Sequence, residues 1–299
     1  MRGVIGMENM EKMEYIKPRI TKVEEFNPDE DVASRQRIIQ GWDQELLKNA
    51  SVMVGGAGAL GNEIIKNLVM LGFGTIYVVD FDTVVRSNLN RCVLYRTIDA
   101  ELKTFKAEAI AKRAKEIDPY GYIEIIPIVE EIGPQGINYR NRLFTEKNIH
   151  LIFGAFDNVA SRIHMTTIAY YHGIPYVDGG MWGPIGNVFV MNPPSTACYV
   201  CSLSEESWTE MLKRLQCSMK GTLESMEMPS LPTTSSIVAA IQVQEALKIL
   251  FSKRNPGGSS LGVPSLGKMI SFNLITNDWI VYEVPKRPDC PVCSNVGRG

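Results

Sequence analysis

The sequence predicts an α/β protein built on a mainly parallel β-sheet, and three observations support this prediction. Between residues 51 and 180, short apolar runs typical of buried strands alternate with longer runs typical of helices. A glycine-rich stretch, Val52–Ile65, joins the first strand to the first helix of this alternation. Towards the C-terminus, strand-like runs follow one another more closely, which predicts antiparallel strands that continue the sheet.

The elements are expected in the following order. An apolar face predicts a helix over residues 35–50. Parallel strands are expected over residues 51–56, 75–82, 122–129, 150–156 and 175–180. Connecting helices, placed on both faces of the sheet, are expected over residues 62–72, 103–118 and 160–173. A hairpin-like strand over residues 186–192 and two terminal strands over residues 268–274 and 278–284 complete the sheet. A buried apolar helix is expected over residues 232–251.

Composition limits what the chain can do. The 299 residues are 45% hydrophobic and 21% charged, with a formal net charge of -2. This balance is ordinary for a soluble enzyme and gives no basic field for nucleic acid. No apolar run reaches the roughly 20 residues that span a bilayer, and the N-terminus lacks the apolar core of a signal peptide. A cytoplasmic protein without membrane contact is expected, with a flexible arm over residues 1–33 and a single domain over 34–299.

The glycine-rich stretch contains the motif G-x-G-x-x-G as Gly56, Gly58 and Gly61. Between a strand and a helix, such glycines permit a tight turn and bring the helix N-terminus close to a phosphate group. Asp80 ends the next strand, where a carboxylate can bind ribose hydroxyls. These features predict a Rossmann-like nucleotide site, although the glycines could also serve only the packing of the turn. The loop alone does not distinguish a dinucleotide from ATP.

Several observations count against hydride transfer. Dehydrogenases generally need a proton donor, and the three histidines of this chain lie in no marked polar cluster. The one Y-x-x-x-K motif, Tyr282 to Lys286, contains Pro285 and falls on a predicted strand, so it cannot stack on a helix. An NAD-dependent oxidoreductase is therefore the more distant alternative.

Charged and polar residues follow the second strand, and they are Asp80, Asp82, Asn88, Arg91, Lys103 and Lys106. Arg91 and Lys106 can neutralise the outer phosphates of ATP, whereas Lys103 could equally lie on a solvated helix face. Phosphoryl and nucleotidyl transfer depend on such positioned charge and need little proton transfer. Asp157, at the end of a later strand, suits Mg²⁺ through one carboxylate and waters. ATP and Mg²⁺ are thus the expected cofactors.

Two C-x-x-C pairs are formed by Cys198 with Cys201 and by Cys290 with Cys293. Four thiolates in two such pairs suit tetrahedral Zn²⁺, and a site with no open ligand position would be structural. The alternative is four reduced thiols in the core. Bound zinc would connect the C-terminal tail to the middle of the chain.

Several motifs in order resemble the ubiquitin-activating superfamily, which includes the adenylyltransferases that serve the sulfur carriers of molybdopterin and thiamin synthesis. The matching stretches, from about Ser34 to Cys293, are the two C-x-x-C pairs and the sequences SRQRIIQGWDQELLKNASVMVGGAGALGNEIIKNL, VVDFDTVVRSNLNR, KTFKAEA and FDNVASR. The resemblance implies that residues 34–299 are an adenylation domain. One departure is Cys92, where the superfamily commonly has glutamine, and a small structural role is expected for it.

The resemblance also implies roles for individual residues. The nucleotide-binding set would be Gly56, Gly58, Gly61, Asp80, Asp82, Ser87, Asn88, Leu89, Asn90, Arg91, Lys106, Asp157 and Asn158. Within this set, Asp157 would bind Mg²⁺, and Arg91 and Lys106 would hold the triphosphate as catalytic residues. Arg35 would reach into the active site of a partner subunit, which implies a dimer of two copies of the chain. An ordinary surface arginine is the alternative for Arg35.

Cys217 lies in the predicted crossover segment, residues 202–232, which is expected to be mobile. Nearby cations at Lys213, Arg214 and Lys220 favour its thiolate. Sulfur-carrier adenylyltransferases have a reactive cysteine in a similar place. The run PSLPTTSSIVAAIQVQEALKIL, however, is most similar to the activating enzyme of the UFM-type modifier, whose catalytic cysteine aligns with Glu227 here. Cys217 is the candidate nucleophile, with a bystander role as the alternative.

The sequence therefore predicts an enzyme that adenylates the C-terminal carboxylate of a ubiquitin-like protein ending in Gly-Gly and then forms a thioester on Cys217. One alternative is an adenylyltransferase of a ubiquitin-like sulfur carrier for molybdopterin, thiamin or tRNA thiolation. Another is an idle scaffold subunit, which the complete nucleotide set disfavours. A conjugating enzyme or a sulfur donor is expected as a further partner.

Overall fold

The structure, a computed structural model, describes residues 31–134, 136–138, 140–204, 229–254 and 261–294. Its helices are α1 (Ser34–Arg37), α2 (Gln44–Lys48), α3 (Ala59–Leu71), α4 (Thr97–Glu101), α5 (Lys106–Glu116), α6 (Arg142–Glu146), α7 (Val159–His172) and α8 (Pro232–Arg254). Its strands are β1 (Ser51–Gly55), β2 (Thr75–Val79), β3 (Glu124–Ile128), β4 (Leu151–Gly154), β5 (Tyr176–Trp182), β6 (Ile185–Met191), β7 (Lys268–Asn273) and β8 (Asp278–Glu283). Short 3₁₀ turns cover Arg86–Asn88 and Tyr199–Ser202.

The eight described strands form one sheet in the order β3-β2-β1-β4-β5-β6-β7-β8. The first five strands of this order are parallel, and β6, β7 and β8 add antiparallel pairs. This arrangement confirms the predicted fold class. From β1 the chain proceeds to β2 and β3 on one side, and then returns to β4 on the other. The carboxyl ends of β2, β1 and β4 therefore border a topological switch point, where α/β sheets bind ligands.

The sheet separates two apolar cores, because successive side chains of a strand point to opposite faces. Val52 and Val54 of β1 pack into one core with α3, α5 and α8. Met53 faces the other core, together with Ile168 of α7 and the four paired cysteines. Helices thus cover both faces of the sheet, as the sequence predicts.

The predicted single helix over residues 35–50 is wrong. Gly41 has a positive φ of 81°, which interrupts the helix between α1 and α2. The Asp43 carboxylate then accepts a hydrogen bond from the N–H of Leu46 at 3.0 Å and starts α2 as a cap. An apolar face alone did not reveal this break.

Part of the predicted domain organisation lies outside the described residues. This holds for residues 1–30 of the predicted arm and for residues 205–228 of the predicted crossover segment, including Cys217. Among the residues that the structure describes, no helix is both long and apolar enough to cross a bilayer.

Candidate active site

The glycine loop connects β1 to α3 at the carboxyl edge of the sheet. Gly56 has a φ of 96°, and a Cβ there would lie 2.5 Å from the carbonyl oxygen of Ala155. A Cβ at Gly61 would lie 2.1 Å from the carbonyl oxygen of Gly56. At Gly58, by contrast, a Cβ would meet no atom within 4 Å. Gly56 and Gly61 therefore permit the shape of the turn, whereas Gly58 keeps the approach to the turn open.

The N-terminus of α3 faces this open approach. Gly58 caps the helix without a side chain, so the first N–H groups of α3 receive no side-chain hydrogen bond at the cap. Such a helix start carries a partial positive charge and favours an anion. The arrangement suits a phosphate group.

Two residues that the sequence analysis missed hold the loop from behind. The Asn62 side chain donates to the carbonyl oxygens of Ala57 and Gly58, each at 2.9 Å. The Tyr95 hydroxyl donates to the same Ala57 carbonyl at 2.6 Å. Asn62 also accepts from the N–H of Leu94 at 3.0 Å, so the loop is joined to the segment after β2. The sequence signal for Asn62, one polar residue in an apolar helix, was too weak to interpret.

Asp80 lies at the end of β2, next to the glycine loop. One of its carboxylate oxygens accepts from the N–H of Ala57 at 2.7 Å, and the other accepts from the N–H of Asp82 at 2.9 Å. Burial raises the pKa of Asp80, although the charge of Lys106 and these N–H groups act in the opposite direction. Asp80 therefore orients the loop itself.

Lys106 begins α5 and points to the same edge. Its ammonium group pairs with the Asp82 carboxylate at 2.8 Å, and its backbone N–H donates to the Asp82 carbonyl at 2.7 Å. Burial opposes the charge of Lys106, but the carboxylates of Asp80, Asp82 and Asp157 outweigh burial and raise its pKa. The ammonium group thus lies within the electrostatic reach of three acidic residues that follow two different strands.

The SNLNR run forms the 3₁₀ turn and the residues after it. Asn88 is buried, and its side-chain oxygen accepts from the N–H of Val85 at 3.1 Å. Arg91 is partly exposed and folds back onto its own loop, where it donates to the Asn90 side chain at 3.0 Å and to the Ser87 carbonyl. A role in phosphate binding therefore requires Arg91 to exchange these contacts for a ligand. Leu89 is half-buried in the same loop.

Asp157 and Asn158 follow β4, and both are exposed. The Asn158 side chain caps α7 by accepting from the N–H of Ser161 at 2.8 Å. Its amide also lies 3.4 Å from an oxygen of Asp157, a long contact that leaves the carboxylate open to a cation. The glycine loop, Asp80, Lys106 and Asp157 therefore converge at the switch point.

The four paired cysteines lie together in the core beneath α7. All four sulfur atoms are within 4.8 Å of one another, and all four residues are buried. Cys198 and Cys290 are 3.4 Å apart at sulfur, as are Cys201 and Cys293, while Cys198 and Cys201 are 3.9 Å apart. Zn–S bonds of about 2.3 Å in a tetrahedron separate the sulfurs by about 3.8 Å, so this donor set fits Zn²⁺. The separations are too long for disulfides.

The model of one protein family, described as the ThiF family, matches residues 31–292. The chain belongs to the ThiF family. This assignment confirms the resemblance inferred from the sequence motifs, since known relatives in this comparison include ubiquitin-like modifier-activating enzymes and adenylyltransferases. It gives no support to the oxidoreductase alternative.

Three relatives match this ThiF chain over most of both lengths. A sulfur carrier protein adenylyltransferase of Thermus thermophilus is 29% identical over 258 residues, which cover 84% of this chain and 85% of that protein. A molybdopterin-synthase adenylyltransferase of Salmonella typhimurium is 27% identical over 264 residues, covering 87% and 94%. A SAMP-activating enzyme E1 of Haloferax volcanii is 29% identical over 256 residues, covering 85% and 84%.

Solved structures share the fold. The crystal structure of E. coli MccB with ATP has a TM-score of 0.70 and 21% identity, and covers 90% of this chain and 76% of the MccB chain. At this level of identity the likeness supports the fold and nothing further.

Two site predictions for this ThiF chain remain, Arg35 and Cys217. Arg35 is an exposed residue of α1, and the neighbouring Asp31 and Arg37 affect the pKa of Tyr120, which burial raises to about 12. Tyr120 precedes β3, so α1 lies at the amino edge of the sheet, opposite the glycine loop. The structure does not bring Arg35 to the site of its own chain, and Cys217 lies outside the described residues.

Proposed function

We propose that this protein uses ATP to adenylate the C-terminal carboxylate of a small ubiquitin-like protein, and that this substrate is a sulfur carrier. The observation that carries the proposal is the convergence of the glycine loop, Lys106 and Asp157 at one sheet edge in a ThiF-family chain. Two relatives of nearly equal length are a sulfur carrier protein adenylyltransferase and a molybdopterin-synthase adenylyltransferase, which favours that substrate class over a conjugated modifier.

The site residues have complementary roles in this reaction. The carboxylate is already ionised, so it attacks the α-phosphorus of ATP without a general base. The bond between the α-phosphorus and the bridging oxygen breaks, and pyrophosphate leaves. Arg91 and Lys106 balance the developing charge, an effect that in other enzymes changes rates by about 10²–10³-fold per group. The absence of a marked histidine cluster is compatible with this mechanism.

The proposed nucleotide contacts follow from the positions of the groups. The start of α3 and the open side of Gly58 would receive phosphates, and Asp80 would bind the ribose. The SNLNR run, Ser87 to Arg91, would border the triphosphate. Asp157, with Asn158 beside it, would hold Mg²⁺, which supplies charge neutralisation on the phosphates when bound.

Two further features belong to the proposal. The four paired cysteines would hold Zn²⁺ as a structural ion, because no ligand position remains for a substrate. A homodimer would bring Arg35 of one copy to the site of the other, in keeping with the position of α1 at the opposite edge of the sheet. A sulfur donor would then act on the acyl-adenylate.

Activation of a conjugated modifier is the second candidate function. The Haloferax relative is an activating enzyme whose length is similar to that of the adenylyltransferase relatives, so length alone does not separate the two functions. In this alternative, the Cys217 thiolate attacks the acyl carbon, a thioester forms, and AMP leaves. A conjugating enzyme would be the next partner.

The test is ATP–pyrophosphate exchange with purified candidate partners. We expect exchange that depends on a partner ending in Gly-Gly and that disappears when the final glycine is deleted. Exchange that proceeds equally without any partner, or no ATP binding at all, contradicts the proposal.

A thiol-sensitive adduct distinguishes the two candidate functions. We expect sulfur-carrier activation to leave exchange intact in Cys217→Ala and to give no stable thioester in the wild type. A thioester that is lost in Cys217→Ala but kept in Cys92→Ala would favour modifier activation instead. Cys92 is a suitable control because it is buried in the first core and its thiol pKa is raised by burial to about 11.

A further inference from the structure

Arg162, in the first half of α7, is a mostly buried cation that the nucleotide site does not use directly. One guanidinium nitrogen donates to the Asp178 carboxylate at 2.8 Å, and the other donates to the carbonyl oxygen of Phe156 at 2.7 Å. The side chains of Arg162 and Asp178 are 13% and 3% exposed. A planar guanidinium can make both bonds at once, which an ammonium group cannot do with the same geometry.

The surroundings are shaped to hold this ion pair. The Tyr176 hydroxyl donates to the second oxygen of Asp178 at 2.5 Å. Two glycines on neighbouring strands leave room for the pair: a Cβ at Gly180 would lie 2.7 Å from Arg162, and a Cβ at Gly154 would lie 2.5 Å from Asp178. Removing one partner of a buried ion pair leaves an uncompensated charge, so a substitution at either end disturbs the pair.

The ion pair also packs against Tyr199, a neighbour of the four-cysteine centre in the sequence. The Tyr199 ring lies 5.7 Å from the Arg162 guanidinium, measured to the ring centroid. Tyr199 begins the 3₁₀ turn Tyr199–Ser202, which follows Cys198 and includes Cys201. Arg162 is therefore packed between the cysteine centre and the loop after β4.

The Phe156 carbonyl belongs to the peptide group that joins Phe156 to Asp157. The hydrogen bond from Arg162 fixes the orientation of this peptide group, and therefore the direction of the Cα–Cβ bond of Asp157. The Asp157 side chain is exposed, and its contact with the Asn158 amide is long, at 3.4 Å, so its direction depends on the backbone before it.

We propose that Arg162 is a positioning residue, which orients Asp157 towards the metal–ATP complex through the Phe156 carbonyl. This inference rests on the proposed function, because it assigns Asp157 to the metal. It adds that the ion pair with Asp178, packed against the cysteine centre, determines how well the site binds a divalent cation.

The test compares two Arg→Lys substitutions in matched ion pairs. Arg162→Lys keeps the charge next to Asp178 but cannot keep both hydrogen bonds. Arg113→Lys is the control, because Arg113 and Asp99 form a pair at 3.0 Å with side chains 13% and 7% exposed, outside the proposed site. The measurement is Mn²⁺ binding in the presence of ATP, followed by electron paramagnetic resonance, together with thermal unfolding.

We expect Arg162→Lys to raise the Mn²⁺ dissociation constant about tenfold, about 1.4 kcal/mol, while Arg113→Lys leaves it unchanged. Equal Mn²⁺ affinity in the two variants and the wild type overturns the inference. If Arg162→Lys does not fold, Gly180→Ala replaces it, because the added Cβ displaces the guanidinium without removing its charge. Wild-type affinity in folded Gly180→Ala likewise overturns the inference.

These outcomes are separable from failure of the proposed function. Mn²⁺ and ATP binding require no protein partner, so they report on Asp157 even when the substrate has been assigned wrongly. Conversely, partner-dependent pyrophosphate exchange in the wild type tests the function without reference to Arg162.

Discussion

Gly58 and Gly61 belong to the same glycine motif, but their surroundings are opposite. A Cβ at Gly61 would lie 2.1 Å from a backbone oxygen, whereas a Cβ at Gly58 would enter open space. Gly58 therefore affects what can approach the loop, and Gly61 affects whether the loop can form. The G-x-G-x-x-G motif in the sequence does not distinguish these two roles, because it gives only spacing.

Alanine substitutions should separate the two roles. Gly61→Ala is expected to destabilise the fold by about 1–3 kcal/mol, because its Cβ meets a backbone atom that cannot move freely. Gly58→Ala is expected to keep the wild-type melting temperature and to raise the KM for ATP. Calorimetry and pyrophosphate exchange measure the two effects. Similar melting temperatures for both variants would contradict this account.

Lys106 is expected to support pyrophosphate exchange through the position of its charge at the start of α5. Lys106→Met is expected to lower pyrophosphate exchange by about 10²–10³-fold without unfolding the protein. Lys112→Met, an exposed lysine of the same helix, is the control and is expected to have wild-type activity. An equal loss in both variants would show that general helix charge, rather than the position of Lys106, matters.

The same residue predicts a pH dependence. Neighbouring carboxylates raise the pKa of Lys106 despite its burial, so its ammonium group stays charged well above neutral pH. We therefore expect exchange to be insensitive to this group between about pH 7 and about pH 9. The comparison is between the pH profiles of the wild type and Lys106→Arg. A fall in exchange activity between these pH values that is present only in the wild type would contradict a raised pKa of Lys106.

At the scale of elements, periodicity predicted the strands and long helices but not every boundary. Runs with the spacing of a buried strand became β1, β2, β4 and β5, because one or both faces of each strand had to be covered. The helix over residues 35–50 failed at Gly41, where a single backbone angle outweighed an apolar face. The contacts of Asn62 and Arg162 could not be predicted, since their partners depend on tertiary structure.

The cysteine centre joins two elements that are far apart in the sequence, the 3₁₀ turn after β6 and the segment after β8. We expect one Zn²⁺ per chain by elemental analysis, and loss of the metal together with a melting temperature lowered by several degrees in Cys290→Ser. Cys92→Ala is the control, because Cys92 lies outside the cluster and should keep the metal. A purified wild-type protein that contains no metal, and whose melting temperature does not fall in Cys290→Ser, would exclude a structural zinc ion.

At the scale of the whole molecule, the order of strands explains why the sequence could predict which residues lie near one another. Residues that follow β1, β2 and β4 are separated in the sequence, but parallel strands bring their carboxyl ends to one edge. The sequence could not give the position of Arg35. Because α1 lies at the opposite edge, we propose that Arg35 contacts the site of a second copy.

Mixing two inactive variants tests this arrangement. If Arg35 acts in the partner's site, the Arg35→Ala and Arg91→Ala variants should each be inactive alone. A mixture of the two should regain activity, because each mixed dimer contains one intact site. Random exchange of equal amounts predicts about a quarter of wild-type exchange activity. Analytical ultracentrifugation establishes the dimer, and an inactive mixture of exchanged subunits would contradict action across the interface.

The most direct measurement follows the oxygen atoms of the partner's C-terminal carboxylate. With this carboxylate labelled by ¹⁸O, the account predicts that the label appears in AMP after hydroxylamine releases the acyl-adenylate. This result requires attack of the carboxylate on the α-phosphorus. Label in inorganic phosphate or pyrophosphate, or AMP without label, would contradict it.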